Sequence, residues 1–185
     1  MVFTTKWFDG YIPFWEQILS KTKTPERVLE IGSFEGRSAC WLAENTNARI
    51  TCVDTWEGSP EHPPELRENL YERFIENITP YKDRITPHRG YSGEVLRTFP
   101  CTPAYDFIYI DGSHYSKDVL EDAVLSWRLL EPGGIMVFDD FTWLAPGTDN
   151  MHDLRNPRAG IEAFCSIFRP EIVAMYGQLV IKKPA

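Results

Sequence analysis

A doubly wound α/β sheet, mostly parallel and finished by an antiparallel hairpin, is the fold this sequence predicts, and three observations predict it. Short apolar runs recur from Arg27 onward, each ending at Gly, Asp or Asp-Asp. Segments with helical spacing of apolar residues separate them. Past residue 170, two strand-like runs are joined by the single residue Gly177. Runs that are apolar throughout and rich in β-branched and aromatic residues read as strands covered by helices on both faces, which is the setting of parallel sheets. Alternating strands and helices then place them in one sheet.

The elements follow in order. Residues 1–24 are predicted as an N-terminal helical cap and residues 25–185 as the core, one domain of 185 residues in all. Strands are predicted at 28–31, stopping at Gly32; at 50–53, stopping at Asp54; and at 85–88, 107–110 and 135–138, the last stopping at Asp139-Asp140. A helix over 115–130 carries Val119, Leu120, Ala123, Val124, Trp127 and Leu130 on one face and ends before Glu131-Pro132-Gly133-Gly134. Another helix covers 161–168, and Glu171–Tyr176 with Gln178–Lys182 forms the hairpin, giving seven strands with one reversed. Loops over 57–64 and 142–157 are rich in Pro, Gly and polar residues and are candidates for a substrate lid.

Composition narrows the function. With 19 Lys+Arg against 27 Asp+Glu the net charge is −8, which opposes nucleic acid or an anionic membrane as partner, since both are bound largely through basic side chains. Lys6, Asp9, Glu16 and Lys21 interrupt the N-terminal aromatics, so no signal peptide or membrane helix is expected and a cytoplasmic protein is. Cys40, Cys52, Cys101 and Cys165 are scattered, which argues for reduced thiols over zinc or a disulfide framework.

In a doubly wound sheet ligands bind at the carboxyl ends of the strands. The first such end reads Glu30-Ile31-Gly32-Ser33-Phe34-Glu35-Gly36-Arg37-Ser38, a two-glycine turn that lets backbone approach a ligand and aims helix N–H groups at a negative charge. Asp54, ending the next strand, can accept from both hydroxyls of a ribose. The E-x-G-x-x-x-G spacing lacks the first glycine of the dinucleotide fingerprint, which disfavours a nicotinamide-dependent oxidoreductase.

On these residues the chain resembles the class I S-adenosylmethionine-dependent methyltransferases, which share a Rossmann-like sheet. The ordered set Ile110-Asp111-Gly112-Ser113-His114-Tyr115, Glu131-Pro132-Gly133-Gly134-Ile135 and Phe138-Asp139-Asp140 resembles their O-methyltransferase branch, over residues 27–183. The resemblance implies S-adenosyl-L-methionine as cofactor. Gly32, Ser33, Phe34 and Gly36 would line its methionine part, with Ser38 near the carboxylate and Glu30 supporting the turn and the ammonium. Asp54 would hold the ribose and Thr55 and Trp56 would lie against the adenine. Gly90, Tyr91 and Ser92 would close the other side of that pocket. Ordinary core packing is the competing account of Trp56 and Tyr91.

Asp111, Asp139 and Asp140 end two strands expected to be adjacent. Three carboxylates together repel unless a cation or protons intervene, and oxygen-only ligands suit a hard ion such as Mg²⁺. In the catechol-type O-methyltransferases the matching set is two aspartates and an asparagine; sugar and antibiotic O-methyltransferases carry an acid at the third place, which Asp140 fits. The alternative is that Asp139 and Asp140 cap the following loop while Asp111 holds the cofactor ammonium. Asp111 and His114 are the catalytic candidates. His114 stands where catechol-type enzymes place a lysine, as base for the acceptor hydroxyl, or else contacts the cofactor or caps a helix. His152 is assigned to an exposed loop, His62 to the surface and His88 to a strand.

The expected activity is O-methylation of a small hydroxylated acceptor, assisted by a divalent metal, with a homodimer possible. The rivals are a metal-independent methyltransferase and a non-catalytic protein that binds the same cofactor. The acceptor pocket must draw on Phe3, Trp7, Phe8 and Trp15, residues 57–64 and residues 143–157. Packing of the N-terminal helix or a dimer interface is the favoured account of most of those aromatics.

Overall fold

The structure, a computed structural model, describes residues 1–59 and 62–185; residues 60 and 61 of the predicted 57–64 loop lie outside the described residues. A 3-10 turn, Phe8–Tyr11, leads into α1 (Ile12–Lys21). The core then runs β1 (Arg27–Ile31), α2 (Arg37–Asn45), β2 (Arg49–Asp54), α3 (Pro64–Arg67), α4 (Leu70–Ile78), β3 (Ile85–Arg89), α5 (Ser92–Thr98) and β4 (Tyr105–Ile110). It continues with α6 (Ser116–Trp127), β5 (Leu130–Phe138), α7 (Arg158–Phe168), β6 (Glu171–Tyr176) and β7 (Gln178–Lys182).

One seven-stranded sheet has the order β3-β2-β1-β4-β5-β7-β6. The first five strands of that order are mutually parallel, and β7 runs antiparallel to both β5 and β6. The predicted fold is therefore the observed one. Strand order reverses beside β1, where β2 lies on one side and β4 on the other, so the loops after β1 and β4 part and open a crevice.

Alternation along the strands divides the core. Val28, Phe107, Tyr109 and Val137 face Trp15, Trp41 and Phe74 from α1, α2 and α4. Leu29, Ile31, Ile108 and Ile110 face Val119, Ala123 and Phe164 from α6 and α7. Burying both faces explains why these runs read as continuously apolar.

Helix 115–130 stops earlier than its apolar face suggests. The helix ends at Trp127, and Leu130 opens β5, paired with Tyr105. The Leu129 carbonyl accepts from the amides of Ala104 and Tyr105 (2.8 and 3.0 Å), and the Lys183 ammonium donates to the carbonyls of Trp127 and Leu130 (2.7 and 2.8 Å). Strand pairing and the ammonium thus take the carbonyls that another helical turn would use.

The 142–157 segment has no helix or strand before α7, yet it is pinned. Asn156, fully buried, accepts from the Ala145 amide (2.7 Å) and donates to the Asn150 carbonyl (2.8 Å), while the Ser116 amide donates to the Leu154 carbonyl (3.0 Å). Among the described residues no helix is long and apolar enough to cross a membrane.

Candidate active site

A crevice of about 1390 Å³ runs along the carboxyl ends of β3, β2, β1, β4 and β5. The β1 turn forms its middle. Gly32 has φ +83°, and a Cβ there would stand 2.0 Å from the Asp111 carbonyl oxygen, so only glycine lets the two strand ends close up. The Asp111 amide donates to the Ile31 carbonyl (2.7 Å), fixing β4's exit against β1's.

Two carboxylates secure this turn. Asp54 accepts from the amides of Ser33 and Phe34 (2.8 Å each) through Oδ2 and from the Trp56 amide (2.7 Å) through Oδ1. A carboxylate has about four acceptor positions, so about one remains open to a ligand. Glu30, fully buried beneath, accepts from the hydroxyls of Ser33 (2.6 Å) and Ser38 (2.5 Å) and from the Cys52 thiol (3.4 Å). Burial pushes the Glu30 carboxyl up, and these three donors oppose the rise.

Gly32, Ser33, Phe34 and Ser38 line the crevice, as do Asp54, Thr55, Gly90, Tyr91 and Ser92. Trp56 is elsewhere: it is 3% exposed, packs on Tyr71 and Phe74 and donates its indole N–H to the Phe34 carbonyl (2.9 Å). It is core, and it supports the turn from below. Gly36, at φ +79°, starts α2 facing Phe74 and Ile78, and Glu30 sits under the surface; both shape the turn without lining it. Tyr91, in contrast, is 64% exposed at the rim.

The β4 and β5 end is built differently. Asp111, Asp139, Asp140 and His114 all line the crevice. The buried Tyr109 hydroxyl lies within hydrogen-bond distance of Asp111 Oδ2 (3.0 Å) and of Asp139 Oδ2, which also accepts from the Gln178 amide nitrogen (3.0 Å). Asp139 Oδ1 accepts from the Asp140 amide (2.7 Å). One hydroxyl proton cannot serve two carboxylates, so this pair is short of positive charge. Burial, then repulsion from its neighbours, drives the Asp111 carboxyl well above the usual carboxylate range; the same two causes push Asp139 up to about 6.

Asp140 adopts φ +55°, a left-handed turn that Asp tolerates better than most residues, and its Oδ2 lies 2.8 Å from His114 Nε2. The His114 ring packs on Trp143, with centroids 4.1 Å apart. In donor type and surplus charge the three aspartates fit a hard divalent cation. Among the described residues, however, no three acidic, histidine or cysteine side chains are gathered as a metal-ion set.

Four contributors have no motif to announce them. Tyr109 bridges two aspartates from inside β4, and Gln178 reaches Asp139 from β7 while accepting from the Trp15 indole (2.7 Å). Tyr11 lines the crevice, its phenol pushed up to about 12 by burial and by Asp139, Asp140 and Asp111. His62, assigned to the surface, lines the crevice between Trp7 and Phe34, with ring centroids 5.2 and 5.1 Å away. Trp7, Phe8 and Tyr11 thus bring the N-terminal segment to the crevice, whereas Trp15 is buried in the core. His152 pairs with Glu162 (2.8 Å) on the exposed face of the 142–157 segment, and His88 packs edge-on to Phe99.

Known proteins resemble this chain in sequence and in fold. A family model described as a methyltransferase domain matches residues 29–141. The O-methyltransferase hkm8 of Aspergillus hancockii is 30% identical over 130 residues, which is 70% of this chain and 48% of that protein. This chain therefore spans about half the length of that curated relative. Among solved structures, an O-methyltransferase from Bacillus cereus in complex with SAH superposes with a TM-score of 0.65 at 18% identity, covering 92% of this chain and 79% of the other. The O-methyltransferase TomG of Streptomyces achromogenes, in complex with SAM, gives 0.63 at 18% identity, covering 90% and 77%. At such identities the two structures speak to the fold.

Proposed function

This chain belongs to the methyltransferase-domain family, and from that premise we propose that it transfers the methyl group of S-adenosylmethionine to a hydroxyl of a small acceptor. One observation carries the reading. A single crevice joins a turn already secured by Asp54 and Glu30 to a surplus of carboxylate and the His114–Asp140 pair, 2.8 Å apart.

In this reading the first turn of α2 receives the methionine carboxylate on its backbone N–H groups. The remaining acceptor position of Asp54 takes a ribose hydroxyl. The carboxylates at the ends of β4 and β5 favour the cationic sulfonium. The acceptor oxygen attacks the methyl carbon in line, the carbon–sulfur bond breaks, and its electron pair leaves on sulfur as a neutral thioether. His114 takes the hydroxyl proton, and Asp140 stabilises the imidazolium that forms. Trp7, Phe34, His62 and Trp143 provide flat aromatic surface for the acceptor.

A divalent cation is the finer part of the proposal. Asp111, Asp139 and Asp140 would hold it, and bound there it would lower the pKa of the acceptor hydroxyl. A metal-independent route is favoured by one observation: Asp139 already accepts from Tyr109, Gln178 and the Asp140 amide.

Thermal melting tests the cofactor. At about 100 times Kd, S-adenosylmethionine or its demethylated product is expected to raise Tm by about 5–10 °C, and NAD to leave it unchanged. No shift with either methionine compound overturns the reading. Labelled methyl transfer across a panel of hydroxylated acceptors tests the reaction, and calorimetric titration of Mg²⁺ into the cofactor-loaded protein separates the two routes.

A further inference from the structure

Residues 1–7 precede every helix and strand and lie over the outside of the fold, with Val2, Thr4, Lys6 and Trp7 exposed. Among the described residues, residues 1–5 make no backbone–backbone hydrogen bond; two buried side chains hold them instead. Asn77, 2% exposed, accepts from the Val2 amide (2.7 Å) and donates to the Val2 carbonyl (3.0 Å). Glu35, 1% exposed, accepts from the Thr4 amide through Oε2 (2.7 Å) and from the Thr4 hydroxyl through Oε1 (2.6 Å).

Glu35 belongs to the β1 turn, between Phe34 and Gly36. Its carboxylate therefore moves with the backbone that shapes the middle of the crevice. The segment it holds returns to that turn a second time. Trp7 lines the crevice with its ring centroid 5.3 Å from Phe34 and 5.2 Å from His62. The turn and the segment are thus tied at two points, one polar and buried, the other aromatic and at the crevice.

Resting on the function proposed above, we infer that residues 2–7 are a strap that closes over the bound cofactor, with Glu35 as the anchor coupling strap to turn. A surface segment held by a few side-chain bonds belongs to the part of a fold that opens locally. Lifting it leaves Glu35 its Arg73 partner (2.9 Å) and opens its other positions to water, so the open state strands no buried charge. A cofactor that stiffens the turn fixes Glu35 where Thr4 meets it, which lowers the ordering cost of docking. By reciprocity the docked strap holds the cofactor more tightly. Entry takes place with the strap open, so the coupling acts on release.

The test is hydrogen exchange at the Val2 and Thr4 amides, together with stopped-flow association and release of S-adenosylhomocysteine. In the wild type, saturation with that compound is expected to slow exchange at both amides about tenfold. Thr4→Pro removes both donors to Glu35, and Trp7→Ala removes the aromatic contact; each should release the compound about tenfold faster, with association within about threefold of wild type. Thr4→Ser keeps both donors and should release at the wild-type rate. Both disrupting changes fall on exposed residues, so melting of the unliganded variants should stay close to wild type. Exchange at Val2 and Thr4 that ignores the compound, or wild-type release from both Thr4→Pro and Trp7→Ala, overturns the strap. Failure of the wild type to bind the compound overturns instead the functional reading on which this one rests.

Discussion

The two halves of the crevice treat carboxylates in opposite ways. Around β1 and β2, Glu30 and Asp54 each accept from three donors, and the turn they secure is ready-made. Around β4 and β5, Asp139 also has three donors but competes with Asp111 for the Tyr109 hydroxyl, and burial with repulsion from neighbouring aspartates lifts both. The first half is satisfied and therefore rigid; the second is charge-deficient and therefore poised to take up a proton or a cation. In the proposed reaction, binding falls to the first half and chemistry to the second.

Gly32→Ala should break the comparison most severely. The added Cβ collides with backbone at a left-handed position, so a loss of about 5 kcal/mol and no measurable binding of S-adenosylhomocysteine are expected, by denaturant melting and calorimetry. Wild-type stability and binding in this variant would show that the first half is not rigid.

Asp122 sharpens it: 2% exposed on α6 and lining the crevice, it carries a burial penalty like that of the second half. Its carboxyl is raised from 3.8 to about 7, so the folded state holds the proton more tightly than the unfolded chain. The associated stability is present below pH 4 and is lost as pH rises toward 7, with a ceiling of about 4 kcal/mol. Chemical denaturation at pH 4 and pH 8 should therefore show a smaller difference in Asp122→Asn than in the wild type.

Glu30→Ala leaves two buried hydroxyls and a thiol without their acceptor, and a loss of about 3 kcal/mol is expected together with weaker cofactor binding. Tyr109→Phe acts on the other half. Its expected cost in stability is only about 1 kcal/mol, larger at pH 8 than at pH 5 because ionised carboxylates need the donor more. Labelled methyl transfer should fall about tenfold or more, with affinity for S-adenosylhomocysteine within about threefold of wild type. Equal losses in both would erase the division.

Strand ends were the most legible feature of the sequence. Gly32, Asp54, Gly90, Asp111 and Asp139 each interrupt an apolar run, and the parallel sheet gathers all of them at one edge. Tyr109 was hidden because it lies within an apolar run, although period-two alternation puts it on the same sheet face as Glu30. Gln178, Tyr11 and His62 reach the crevice through contacts far apart in sequence, which no local pattern encodes. Leu130 misled because an apolar face at helical spacing can continue past a helix whose last carbonyls are taken by neighbours. Trp56 carried no sign of direction; its φ of +52° turns it inward.

The Trp15–Gln178–Asp139 link joins residues 163 positions apart through one indole hydrogen bond. Gln178 comes from the last strand in chain order, whereas the turn around Glu30 and Asp54 draws its bonds from residues 30 to 56. A domain folds as a unit, and the β1 turn itself is closed by the Asp111 amide at the end of β4. The donor that Gln178 gives Asp139 is likewise in place only once β7 lies antiparallel beside β5. The crevice is therefore a product of the finished sheet, its two ends tied to strands that the chain supplies far apart in sequence.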